Sequence, residues 1–173
     1  THLLPLAAAL ALSLAPAALA QEWTRFRGPN GSGISDAKGI PTRLTDADLN
    51  WKTELPGVGH SSPILWGERV FVTTSGDKAG GFQVDCLDAR DGKILWKHDF
   101  ALTPFARHKF NSFASSTPAV DAERVYVTWN ETEHYNLAAL DHSGKVLWQR
   151  DFGPYVSQHG CGPSPILYRG MVI

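Results

Sequence analysis

The chain has 173 residues, and its 17 acidic and 16 basic side chains leave a net charge of −1. That balance argues against nucleic acid or an anionic membrane surface as the partner, since both need a basic face. After the first 20 residues the remaining length suits one domain by length alone.

Residues 1–20 read as a signal peptide. Leu3 to Ala20 is rich in alanine and leucine and uncharged, and it ends in Ala18-Leu19-Ala20, a small-residue cleavage pattern just before Gln21. Pro5 and Pro16 make it a poor spanning helix. Export to the periplasm or outside the cell is expected, with no membrane insertion after cleavage. No cysteine follows the cleavage site, which argues against a lipid anchor at that point.

Residues 21–48 form an irregular segment. In Trp23-Thr24-Arg25-Phe26-Arg27-Gly28-Pro29-Asn30-Gly31-Ser32-Gly33, closely spaced glycines and a proline leave no regular period. Trp23 and Phe26 are expected to anchor it. No strand precedes it and no helix follows, so a phosphate-cradling loop is not indicated.

From residue 49 onward the chain repeats itself. Leu87-Asp88-Ala89-Arg90-Asp91-Gly92-Lys93-Ile94-Leu95-Trp96 returns, one residue shorter, as Leu140-Asp141-His142-Ser143-Gly144-Lys145-Val146-Leu147-Trp148. Each copy reads as a strand end, a tight turn in which glycine supplies positive φ, and a strand bearing tryptophan. Asp88 and Asp141 suit acceptors for the turn's amides. Upstream, Ser62-Pro63 precedes Arg69-Val70-Phe71-Val72-Thr73, and Thr117-Pro118 precedes Arg124-Val125-Tyr126-Val127-Thr128. A third start follows at Ser164-Pro165, before Met171-Val172-Ile173.

The prolines lie 55 and then 47 residues apart. A period of this length built from short strands implies a β-propeller: all-β, with blades of four antiparallel strands. Strands are expected near 62–66, 69–75, 82–88 and 93–99, then near 117–120, 124–130, 135–141 and 145–151. Continuous apolar runs such as Val125-Tyr126-Val127 predict strands buried on both faces. No segment shows a helical period.

The assigned units are an outer closing strand at 49–55, blade one at 61–100, blade two at 116–152 and the start of blade three at 163–173. Residues 49–173 are thus expected to be a partial propeller of about two and a half blades, the N-terminal fragment of a larger ring. Asn50-Trp51-Lys52 matches the outer strands around Trp96 and Trp148 and should complete the last blade of that ring. Cys86 and Cys161 occupy different repeats and different repeat positions, which disfavours a disulfide.

The Leu87–Trp96 motif, with Ser62-Pro63 and Arg69-Val70-Phe71-Val72 before it, resembles the repeat of the PQQ-like (quinoprotein-type) β-propeller family. The segment holding Trp23, Phe26-Arg27-Gly28-Pro29 and Gly31-x-Gly33 resembles the N-terminal signature of an exported bacterial branch of it. The resemblance implies the propeller fold across nearly all of 23–173. It leaves function open, since such propellers include quinone-dependent dehydrogenases and assembly scaffolds. The dehydrogenases carry adjacent cysteines beside the quinone, a calcium ion and a catalytic aspartate. Here Cys86 and Cys161 stand alone and no acidic cluster has calcium-ligand spacing.

Propellers bind at the loops leading into their innermost strands. Those loops are 57–61, 101–116 and 155–162. The candidate cofactor- or ligand-binding residues are His60, Arg107, His108, Lys109, Asn111 and His159, which would sum to a weakly basic mouth for an anionic ligand. No metal site is expected, because only His159 and Cys161 are close in sequence among the axial ligand types.

The favoured reading is an exported binding or scaffold protein with no cofactor, engaging a protein partner or a small anionic ligand at the axial loops. The alternative is a PQQ-dependent alcohol or sugar dehydrogenase whose catalytic residues lie beyond Ile173.

Overall fold

The computed structural model describes residues 22–76, 81–157 and 159–173. The expected signal peptide lies outside the described residues. Two sheets repeat one plan. The first has β1 (Ile64–Trp66), β2 (Arg69–Ser75), β3 (Phe82–Asp88) and β4 (Ile94–Phe100), in the order β1-β2-β3-β4. The second has β5 (Ala119–Val120), β6 (Arg124–Asn130), β7 (Tyr135–Asp141) and β8 (Val146–Asp151), in the same order. A two-stranded hairpin, β9 (Leu167–Tyr168) with β10 (Met171–Val172), opens a third unit. All neighbouring strands are antiparallel.

The register is the same in both blades. The row Phe71–Cys86–Trp96 of blade one corresponds to Tyr126–Ala139–Trp148 of blade two, and each ladder shifts by one residue just after that row. Side chains in one row share a face. Phe71 and Trp96 therefore meet at 6.0 Å between ring centroids, and Tyr126 and Trp148 at 6.1 Å.

One face of blade one packs on the opposite face of blade two, and the core is that seam. Phe71, Phe82, Val84 and Cys86 face Val125, Val127, Trp129 and Ala138, all of them buried. Trp129 stacks on Phe82, with centroids 5.1 Å apart and planes 13° apart, and meets Phe100 at 4.4 Å. The second and third strands of each blade are largely buried on both faces, as the runs Val70-Phe71-Val72 and Val125-Tyr126-Val127 predict for β2 and β6. The outer strands β4 and β8 alternate half-buried with exposed residues along most of their length.

Three polar contacts repeat across blade seams. Trp51 Nε1 donates to Ala89 O at 2.9 Å, and Trp96 Nε1 donates to His142 O at 2.9 Å. Both carbonyls belong to the turn before a fourth strand. Ser62 N donates to Thr117 Oγ1 and Thr117 N to Ser164 Oγ, each at 2.9 Å. Thr73 Oγ1 donates to Ser116 O at 3.2 Å, and Thr128 Oγ1 to Pro163 O at 3.4 Å. The recurring Ser/Thr-Pro is thus more than a strand start. Its hydroxyl satisfies an amide of the preceding repeat that would otherwise be buried without a partner.

The turn glycines exist for these contacts. Gly92 and Gly144 have φ of 71° and 89°, and a Cβ on them would lie 2.3 Å from the Trp51 ring and 2.7 Å from the Trp96 ring. Only glycine both adopts that backbone and admits the indole. Asp88 and Asp141 organise the same turns, accepting the Arg90 and Ser143 amides at 2.8 Å. The Arg90 guanidinium on Asp88 holds that carboxyl down to about 2, and the Ser143 hydroxyl lowers Asp141.

Two segments that precede blade one stand outside its sheet. The segment around Trp51 has no ladder hydrogen bonds among the described residues and meets blade one through Trp51 and through Thr53 Oγ1, which donates to Gly92 O at 2.6 Å. The sheet it is expected to complete is not among the described residues. Phe26 is not an anchor: it is 49% exposed. Trp23 is one, exchanging backbone bonds with Leu65 at 3.1 and 2.9 Å. Among the described residues the one helical turn is a 3-10 turn at Asp46–Asp48. Cys86 and Cys161 are free, buried thiols, pushed up by burial to about 12 and about 11.

Asp85 breaks the apolar pattern of β3. It is wholly buried on the face turned away from blade two, where it accepts the Thr74 hydroxyl at 2.8 Å through Oδ2. Its Oδ1 has no partner among the described residues. Burial raises its pKa, outweighing the Thr74 bond and the Lys97 charge. Because the folded pKa lies above the unfolded value of 3.8, stability is greatest below that value and falls as pH rises through the folded one. In full-length protein, Asp85→Asn removes the buried charge and is therefore expected to be the more stable form at pH 7, by about 1–3 kcal/mol, the scale of the desolvation penalty. The difference should shrink towards about pH 4. Urea unfolding at both pH values measures it, and a variant less stable at pH 7 contradicts it.

Candidate functional site

The antiparallel order sends the chain back and forth, so the loops entering and leaving the blades fall at two ends. The Trp-docked turns lie at one end. At the other lie the connection 101–118, the described residues of 152–166 and the loop that follows β6.

Loop 101–116 is pinned at both roots. Leu102, Phe113 and Ala114 are buried in the core. Phe105 packs edge-on against Phe113 at 5.2 Å, and the Arg107 guanidinium lies over the Phe113 ring at 4.3 Å. Between these roots the loop stands on the rim. Phe110 is 76% exposed, with Lys109 Nζ 4.9 Å from its ring centroid.

Asn111 ties this loop to the next one. Its backbone N–H donates to His108 O at 2.9 Å and its Nδ2 to His159 O at 2.5 Å. Its Oδ1 accepts the Ser112 amide at 2.9 Å and the Ser115 hydroxyl. The rings of His108 and His159 meet edge to face at 5.2 Å. The structure thus brings His108, Asn111 and His159 together, with Arg107 and Lys109 on the same loop.

His60 is set apart from them. Its amide donates to Ala114 O at 3.0 Å, and its exposed ring lines a different space, an axial cavity of ≈520 Å³. That cavity lies between blade entrances and the N-terminal segment, and Arg25, Arg27, Thr117 and Ser164 line it too. These four were not among the expected site residues. Two arginines in an irregular stretch, and hydroxyls already explained as strand starts, carry no spacing signal. Their proximity arises because the segment from Glu22 folds back onto both blades.

Two consecutive four-stranded blades, joined by the same seam contacts and followed by a third hairpin, make a β-propeller. The chain belongs to the PQQ-like repeat family: the family model described as outer membrane protein assembly factor BamB matches residues 42–150 and again 80–173. No curated protein matches the chain. Among solved structures, BamB from Moraxella catarrhalis is 21% identical, with a TM-score of 0.55. The match covers 71% of this chain and 36% of that one. The chain therefore spans about a third of that relative's length. A quinohemoprotein alcohol dehydrogenase, ADHIIG from Pseudomonas putida HK5, is 18% identical with a TM-score of 0.37, over 51% of this chain and 12% of that one.

Cys86 lies in β3 in the row of Phe71 and Trp96, and Cys161 lies in the connection between β8 and β9, so the two thiols are not neighbours in the chain. No group of three or more His, Cys, Asp or Glu side chains among the described residues converges on one point.

Asn111 is the residue on which the rim's shape depends. Asn111→Ala removes the side-chain bonds to His159 and Ser115 together. In full-length protein, amide exchange at 103–111 and 159–161 is expected to speed up at least about tenfold, matching about 1.4 kcal/mol of local opening. The blade strands should keep their protection. Unchanged exchange in both loops contradicts the assignment.

Proposed function

We propose that this protein is a scaffold of the cell envelope that holds a protein partner against the loop rim of its propeller. The observation that carries it is Phe110, 76% exposed beside Lys109 on a loop fixed at both roots. A rigid, solvent-facing aromatic flanked by cations is costly to leave in water and is the kind of residue that anchors an interface. Val156, 93% exposed on the adjoining loop, extends the apolar surface. The description of the family as an assembly factor supports a role in bringing proteins together, and the expected signal peptide supports the periplasm as its place. No helix among the described residues is long and apolar enough to cross a membrane.

His108, Lys109 and His159 around Phe110 favour a partner surface with acidic side chains. Contact here would follow the usual pattern of an apolar centre inside a polar rim.

The test uses full-length protein in its own host, with a photo-crosslinking residue at position 110 and a control at Glu68, at the opposite end. A discrete adduct with one envelope protein from 110 and none from 68 is expected. Lys109→Glu combined with Phe110→Ala should cut co-purification of that protein at least about tenfold, or about 1.4 kcal/mol. Equal labelling at both ends, or no discrete adduct at 110, overturns the reading.

A further inference from the structure

The axial cavity is lined by donors and by no acid. The N-terminal segment reaches it by hydrogen bonds to the innermost strands of both blades: Trp23 pairs with Leu65, and Val120 N donates to Thr24 O at 2.9 Å. Immediately beyond this double attachment come Arg25 and Arg27. Arg25 donates through Nε and Nη2 to Pro29 O, at 3.3 and 3.1 Å, and Arg27 through Nη2 to Ser32 O at 3.2 Å. A guanidinium has five N–H donors, so each arginine is held in place while keeping donors for something else. Neither forms an ion pair with a carboxylate among the described residues.

The hydroxyls complete the set. Thr117 Oγ1 accepts the Ser62 amide, and Ser164 Oγ accepts the Thr117 amide. An oxygen that accepts an N–H keeps its own proton to give, and neither hydroxyl finds an acceptor among the described residues. Thr117 is only 1% exposed, so its unspent donor is a buried one that faces a cavity. His60 lines the cavity as well.

We propose that this cavity binds a small oxyanion, a compound carrying two or more carboxylate or phosphate groups, between Arg25 and Arg27 on one side and Thr117, Ser164 and His60 on the other. Two fixed guanidinium forks match the planar geometry of such groups, and converging hydroxyl donors fit their remaining oxygens. The volume of ≈520 Å³ lies within the range of small-molecule sites. The seam hydrogen bonds that join the blades also point the hydroxyls inward, so the site is preorganised by the fold. The proposal is independent of the partner-binding rim, whose residues it does not use.

The test is calorimetric titration of full-length protein with citrate and, separately, with inorganic pyrophosphate, each at about 50 mM and about 500 mM salt. Saturable binding of at least one anion is expected, weakening at the higher salt. Citrate alone binding identifies a carboxylate ligand, and pyrophosphate alone a phosphate ligand. Arg27→Gln should weaken that binding at least about tenfold, the loss expected for a charge-assisted pair. His60→Gln, whose native side chain makes no contact the fold needs, should weaken it several-fold and keeps the test valid if the arginine variant unfolds. Lys109→Gln, on the rim, should change nothing. Absence of binding by either anion, or binding that Lys109→Gln abolishes and the cavity variants leave intact, overturns the proposal.

Discussion

The structure depends on one contact made twice: an indole laid over the turn glycine of the repeat that follows it, with its N–H given to a carbonyl of that turn. Trp51 does this to the Ala89–Gly92 turn, and Trp96 to the His142–Gly144 turn. A single four-stranded sheet has two apolar faces and cannot bury both alone, so a blade is stable only against its neighbours. The indole contact fixes how far and at what angle the neighbour sits. The His142 ring then packs on Phe71 and Trp66 of the preceding blade, at 5.7 and 6.4 Å, which carries the same seam inward from the outer edge.

Function follows from what the seam leaves at the other end. Short turns suffice where the tryptophans dock, whereas the chain must travel from the outer strand of one blade to the inner strand of the next. Those long connections meet at one end and are tied together through Asn111. The inner edges carry a second series of seam contacts, in which the Ser62 amide donates to the Thr117 hydroxyl and the Thr117 amide to the Ser164 hydroxyl. The proposed partner-binding rim and the proposed anion site are thus two uses of one geometry, with the tryptophans setting the spacing and the inner hydroxyls lining the space.

Much of the fold was legible because it repeats. Strands over 69–75, 82–88, 124–130 and 135–141 follow from the repeat and from apolar positions bounded by turn residues, and they form over those residues. Where a side chain's partner is far along the chain, the sequence was silent. Nothing near Thr117 announces that its oxygen answers an amide 55 residues earlier. Nothing in the irregular N-terminal stretch announces that Trp23 will pair with Leu65 and deliver Arg25 and Arg27 to the axis. Phe26 misleads for the same reason: a large apolar residue in an irregular segment reads as an anchor, yet it stands half in solvent at the cavity's edge. Asp85, in a strand otherwise apolar, gives no local sign that it will be sealed from water.

The most direct measurement is a double-mutant cycle on the seam in full-length protein, using Trp96→Ala, Gly144→Ala and both together. Gly144→Ala alone is expected to cost more than about 2 kcal/mol, combining the left-handed backbone with the collision against the indole. Once Trp96 is removed there is room for the new methyl, and the same change should cost only about 1 kcal/mol, the backbone part. A coupling of at least about 1 kcal/mol between the two sites is the predicted result. Strict additivity would contradict the claim that the indole on the neighbouring glycine sets the blade spacing.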